Sequence, residues 1–174
     1  DVGEAALEKG RAGVRGSLDR MVAKAKLTEA ARDEVLGRIA WGSDVAAAVA
    51  DADVIVEVVP EKMELKAALF RQVDAAARSD ALLGSNTSSL SITEIAGVTR
   101  DPSRVVGLHF FNPVPVMELL EVVRGMRTGD AAVDRALAFA KRLGKTAIVV
   151  RDMPGFATSR LGVALGAEAI RMLE

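Results

Sequence analysis

Asp53-Val54-Ile55-Val56-Glu57-Val58-Val59-Pro60 is the stretch on which the fold turns. β-branched residues dominate it and Pro60 stops it, as suits a strand buried on both faces of a parallel sheet. Downstream, Lys62 to Arg78 reads as a helix and Ala81 to Gly84 as a short strand. Arg104 to Phe111 and Leu119 to Val123 read as further strands. Ala131 to Leu143 reads as a helix ended by Gly144, a C′ glycine; Thr146 to Val150 is β-rich, and Phe156 to Glu174 is helical in pattern. Upstream, residues 4–26 carry Leu7, Val14, Leu18, Met21 and Ala25 at helical or doubled helical steps. Thr28 is placed to cap a second helix, Glu29 to Ile39. Helices alternating with near-continuous apolar strands predict an α/β domain with a mostly parallel sheet. Pro154-Gly155 is the clearest late break, and a second, helical unit is expected to begin there with a single helix.

The 174 residues suit one domain, or one domain and part of another. Half of them are hydrophobic, enough for a core. Lys and Arg number 23 against 24 Asp and Glu, so the charge of −1 gives no reason to expect nucleic acid or an anionic membrane as partner. Without cysteine there are no disulfides, thiolate nucleophiles or Cys-based metal sites, and no metal is expected. No apolar run reaches the length of a membrane span and no signal-peptide pattern opens the chain, so a cytoplasmic location is the expectation. Any imidazole chemistry falls on His109, the one histidine.

Two ionisable residues interrupt apolar strands. His109 sits in Val105-Val106-Gly107-Leu108-His109-Phe110-Phe111, and Glu121 in Leu119-Leu120-Glu121-Val122-Val123. A carboxylate among aliphatic side chains is costly unless paired. If the two strands are neighbours, Glu121 can accept the imidazole N–H, fix its tautomer and favour the imidazolium. An imidazole so held is a general base for a substrate hydroxyl. On spacing alone, an equally good reading packs His109 at a strand end and turns Glu121 to solvent.

Ser85-Asn86-Thr87-Ser88-Ser89 follows the strand Ala81 to Gly84, and ligands of open parallel sheets collect beyond the carboxyl ends of the strands. Its hydroxyls and amide could bond a ribose, a carboxamide or a substrate oxygen. Composition favours a plainer reading, a solvated turn with helix-capping serines. Asn112-Pro113-Val114-Pro115 forms a second such turn beside His109.

Ser85-Asn86-Thr87-Ser88-Ser89-Leu90, His109-Phe110-Phe111-Asn112-Pro113-Val114-Pro115-Val116-Met117 and Glu121, at this spacing, resemble the 3-hydroxyacyl-CoA dehydrogenase family, the bacterial short-chain 3-hydroxybutyryl-CoA dehydrogenases most of all. The resemblance extends from Asp1-Val2 to the final helix. It implies a Rossmann NAD domain over residues 1–152, lacking its first two strands, and the start of an all-helical dimerisation and substrate domain over 153–174. It implies His109 as catalytic base, Glu121 as its partner, and Ser88 and Asn112 beside the reacting centre. Asp1, Glu61, Lys66, Asn86, Ser88 and Asn112 are then cofactor positions, with Asp1 on the adenine ribose, which favours NAD over NADP. Ser17, Lys24 and Ser159 fall to the CoA substrate, and a cation at Lys24 suits CoA phosphates.

Against the family pattern, the Gly-x-Gly-x-x-Gly turn is missing, and Gly10, Gly13 and Gly16 lie inside the first helix without a preceding strand. Ser159, in Ala157-Thr158-Ser159-Arg160, stands where the family usually has asparagine. The expected activity is oxidation of a short (3S)-3-hydroxyacyl-CoA by NAD in a homodimeric parent protein, the 174 residues by themselves being inactive. Its rivals are a related dehydrogenase of a free sugar acid, a module of a multifunctional fatty-acid oxidation protein, and a silent fragment acting as a structural or interaction unit.

Overall fold

The computed structural model describes residues 3–173, in two compact units, 1–48 and 49–174. Asp1 lies outside the described residues.

In the first unit, α1 (Glu4–Ala23) and α2 (Glu29–Gly37) form a helical hairpin, followed by the short α3 (Val45–Val49) at the boundary. The Thr28 hydroxyl accepts from Ala31 N at 3.2 Å, the expected cap. The first helix stops three residues short of its expected end. Ala25 enters the left-handed region at φ 53°, with Lys26 N donating to Met21 O and Ala25 N to Val22 O. That closure is the one glycine commonly makes, and an alanine carries no stop signal. The apolar stripe is weaker than its spacing suggests: in α1 only Leu7 is buried. Arg32 of α2 ties back to Asp19 of α1 at 3.1 Å, and Arg11 lies over the Trp41 ring.

The second unit is a five-stranded sheet in the order β1-β2-β3-β4-β5: β1 (Val54–Glu57), β2 (Leu82–Ser85), β3 (Val105–Phe110), β4 (Leu119–Arg124) and β5 (Thr146–Arg151). Three pairings are parallel and β3–β4 is antiparallel, the mostly parallel α/β sheet expected. Crossovers between parallel strands carry α4 (Met63–Ala76), α5 (Ile92–Ala96) and α6 (Asp130–Arg142), and α7 (Thr158–Arg171) follows β5. Gly144, at φ 68°, closes α6: Lys145 N reaches Ala140 O and Gly144 N reaches Lys141 O.

The expectation for the first strand needs correction. Val54, Ile55 and Val56 are half-buried and Val58 is 69% exposed, because β1 lies at an edge of the sheet among the described residues. The core is centred elsewhere. Leu82, Val106, Leu108, Leu120 and Val122 pack on Ala132, Val133, Ala136 and Ala140 of α6. By the two-residue period of a strand, Gly107, His109, Glu121 and Val123 point to the opposite face. A Cβ on Gly107 would come within 2.6 Å of the Val123 Cβ and 3.0 Å of Ile92 of α5, so β3, β4 and α5 close together only over a glycine.

Candidate active site

The antiparallel register sets His109 directly across from Glu121. Nδ1 and Oε2 are 2.6 Å apart, with His109 5% and Glu121 0% exposed. This excludes the solvent-facing reading of Glu121. The Phe111 and Phe156 rings stand against the imidazole at 4.6 and 5.7 Å between centroids. Nδ1 is therefore spent on the carboxylate within an aromatic surround, which leaves Nε2 to exchange a proton with a ligand. Among the described residues Nε2 has no protein partner.

Glu121 takes more than the imidazole. Its Oε1 accepts from Ala157 N at 3.1 Å and Thr158 N at 2.9 Å, and Oε2 accepts from the Thr158 hydroxyl at 3.3 Å. These donors belong to the first turn of α7, whose free N–H groups and positive end suit a buried carboxylate. Phe156 and Gly155, at φ 48° and 74°, bend the chain into that position.

The polar turn after β2 is built from beneath. Glu57, at the end of β1, is buried: Oε1 accepts from Lys66 Nζ at 2.8 Å and Val59 N at 2.6 Å, and Oε2 from the Ser85 hydroxyl at 2.6 Å. Lys66, 1% exposed, also meets Glu61 at 3.3 Å and the Val59 carbonyl at 3.1 Å. Its ammonium thus donates two hydrogen bonds to protein oxygens and forms an ion pair with Glu61. Glu61 in turn accepts from Ser88 N at 2.9 Å, Ser89 N at 3.2 Å and the Thr87 hydroxyl. Burial pushes the Glu61 carboxyl up, but the hydrogen bonds of Thr87 and Ser88 and the Lys66 charge outweigh it and hold it below its ordinary value.

This arrangement fixes the backbone of the turn and leaves chosen groups free. Asn86 Oδ1 accepts from Phe110 N at 2.8 Å, tying the turn to the strand that carries His109. Among the described residues the Asn86 amide nitrogen and the Ser88 hydroxyl bond no protein group, and Ser88 is exposed. The turn lies at the carboxyl ends of β1 and β2, where Glu57 pairs with Ser85, and β3 runs parallel to β2 toward His109. Asn112 is exposed in the turn after β3. Ser159 is half-buried in the first turn of α7. Ser17, half-buried within α1, and Lys24, exposed at its end, belong to the other unit.

Several supporting residues carried no expectation. Glu57 and Glu121 share one signal, a carboxylate inside a β-branched run. Thr87 and Ser85 look like any polar turn in sequence yet are fully buried. Asp152 accepts from the Ser91 hydroxyl at 2.8 Å and from Ile92 N and Thr93 N at 3.1 and 2.7 Å, pinning the end of β5 to the start of α5. Thr158 gave no signal, since its partner lies 37 residues away. A capping serine does follow the turn: Ser91 Oγ accepts from Glu94 N at 3.2 Å. Among the described residues no group of three or more His, Asp or Glu side chains could hold a metal ion.

Residues 1–153 match the family profile described as 3-hydroxyacyl-CoA dehydrogenase, NAD binding domain. The chain is 41% identical over 170 residues to the probable 3-hydroxybutyryl-CoA dehydrogenase of Bacillus subtilis, covering 98% of this chain and 59% of that protein. It is 40% identical over 180 residues to the mitochondrial hydroxyacyl-coenzyme A dehydrogenase of Homo sapiens, covering 100% and 57%. The crystal structure of (S)-3-hydroxybutyryl-CoA dehydrogenase from Ralstonia eutropha superimposes with a TM-score of 0.91 at 41% identity, over 95% of this chain and 58% of that one. The chain thus spans somewhat over half the length of the relatives it matches. With its α/β sheet, its paired histidine and glutamate, and a profile match across most of its length, the chain belongs to the 3-hydroxyacyl-CoA dehydrogenase family, in that family's NAD-binding domain.

Proposed function

We propose that the protein takes part in the reversible oxidation of a short-chain (3S)-3-hydroxyacyl-CoA to the 3-ketoacyl-CoA, with NAD as electron acceptor. The observation that carries this reading is the enclosed contact between His109 Nδ1 and Glu121 Oε2 at 2.6 Å. The carboxylate keeps the proton on Nδ1, so Nε2 is the basic nitrogen and takes the proton of the substrate 3-hydroxyl. Glu121 balances the imidazolium that results. Bound NAD would supply the two-electron acceptor for the hydride from C3, so that the proton taken by His109 and the hydride together balance the oxidation.

The residues present fit that cofactor. The turn at 85–89 stands at the carboxyl edge of parallel strands with the Ser88 hydroxyl and Asn86 amide unspent. Ser88, Asn86, Asn112 and Glu61 would hold the cofactor and the substrate oxygen. Lys66 would act by fixing Glu61, and Asp1 would meet the adenine ribose. Ser17, Lys24 and Ser159 are assigned to the acyl-CoA.

Residues 1–152 are assigned to the cofactor domain and 153–174 to the start of a helical dimerisation and substrate domain. Exposed Leu161, Val163, Leu165 and Ile170 on α7 support a helical partner layer and a homodimer of the full-length protein. No helix among the described residues is long and apolar enough to cross a membrane, and a cytoplasmic site of action belongs to the same reading.

The test is the full-length protein with NAD and either (3S)-3-hydroxybutyryl-CoA or a free sugar acid, followed by NADH absorbance. Turnover is expected on the thioester. His109→Gln is expected to lower it about 10²–10⁴-fold with NAD affinity unchanged. Preference for the sugar acid, or near-normal turnover of the variant, defeats the reading.

A further inference from the structure

Oε2 of Glu121 has two donors where the base needs one. His109 Nδ1 lies 2.6 Å from it and the Thr158 hydroxyl 3.3 Å. The backbone N–H groups of Ala157 and Thr158 take the other oxygen, so the carboxylate is oriented without the hydroxyl. The hydroxyl falls on the oxygen that faces the imidazole. Phe111, just after β3, and Phe156, before α7, stand against the His109 ring, and both are uncharged. Among the described residues no other charged side chain lies within ion-pair distance of Glu121 or His109.

We propose that Thr158 is a positioning residue that sets the strength of the base: its hydroxyl draws on Oε2 and weakens the hold of Glu121 on the imidazolium that forms when His109 takes the substrate proton. This deepens the dehydrogenase reading given above and rests on it. The physical cause is competition between donors for one carboxylate oxygen in an enclosed, weakly screened site. A hydroxyl bonded to the oxygen delocalises part of its charge, and that part no longer stabilises a cation on the other side. The position is one that local sequence cannot flag, because Thr158 reaches the site through the first turn of a helix that follows the sheet.

Thr158→Val keeps the shape of the side chain and removes the hydroxyl. In the full-length protein the acid limb of the pH–rate profile is expected to move upward by roughly half a pH unit. KM for NAD is expected to stay within about threefold, because the Thr158 hydroxyl bonds Glu121 and none of the residues of the turn at 85–89. Thr158→Ser is expected to restore the limb. Should the valine variant not fold, Thr158→Ala carries the same expectation. An acid limb unmoved in the hydroxyl-free variants, or turnover lowered equally at every pH, overturns the proposal.

A second readout needs no turnover. The 174-residue chain has one histidine, so a single imidazole signal can be followed by NMR across pH. In Thr158→Val that signal is expected to change at higher pH than in the parent chain, and an unmoved transition also overturns the proposal. A protein inactive on the thioester defeats the dehydrogenase reading alone, and the imidazole titration then decides the role of Thr158.

Discussion

Asp152, the first residue after β5, accepts backbone hydrogen bonds from Ile92 and Thr93, about sixty positions earlier in the chain. One carboxylate thereby joins the exit of the sheet to the start of α5, just beyond the turn that carries Ser88. The same carboxylate fixes the point from which residues 153–157 set out toward Glu121.

Burial raises the Asp152 carboxyl, but the bonds from Thr93, Ser91 and Ile92 prevail and hold it below its ordinary value. The stabilisation it contributes is therefore complete above the ordinary carboxylate range and fades as pH falls through the lowered folded-state value. Asp152→Asn is expected to cost about 1.5–3 kcal/mol at neutral pH, the range for hydrogen bonds to a charged group. Urea denaturation of parent and variant from pH 7 down to pH 2 checks this. The gap between them should narrow as the medium becomes acidic, and a gap independent of pH contradicts the assignment.

Glu121→Gln removes the charge and keeps the shape. The imidazolium loses its counter-ion, so the acid limb of the pH–rate profile is expected to move to lower pH, opposite in sign to Thr158→Val. Turnover should fall roughly 10²-fold or more, because the proton on Nδ1 is no longer fixed by a carboxylate. Initial rates across pH 5 to 10 measure both effects. A profile unmoved by the substitution argues against the pairing as the source of basicity.

The Lys66–Glu57 pair, both side chains 1% exposed, predicts a sharp asymmetry. Lys66→Met leaves Glu57 buried without a cation and is expected to cost about 3–5 kcal/mol. Adding Glu57→Gln should recover much of that loss, because the charge then left without its cation is Glu61, which is partly exposed and keeps its donors from Thr87, Ser88 and Ser89. Midpoints of urea denaturation for the parent, the two single variants and the double variant give the coupling. Additive losses would show that the pair does not act as a unit.

Much of this was legible from one dimension. The order of strands and helices followed from periodicity, because burying one face of a helix or both faces of a strand leaves a repeat in the residues themselves. Gly144 and Thr28 signalled their helix ends by side-chain type alone. The end of α1 at Ala23 left no such mark, since an alanine took the left-handed turn. The edge position of β1 was equally hidden, because a β-branched run reads alike at an edge or in the middle of a sheet.

The site divided along the same line. His109 and Glu121 stood out because ionisable groups in apolar runs need partners, and each sequence run contains its own anomaly. That they face each other depended on antiparallel register, which one residue of slippage would have reversed. The buried Thr87, Asp152 on α5, and Thr158 on Glu121 rest on contacts between segments distant in the chain, and Lys66 meets Glu57 only through the packing of α4 on β1. Sequence alone determined which elements form and which side chains are out of place among apolar neighbours, since both are properties of short segments. Tertiary structure alone decided which donors each carboxylate receives, since a charge buried in a fold is partnered by whatever the packing of remote elements brings within hydrogen-bonding distance.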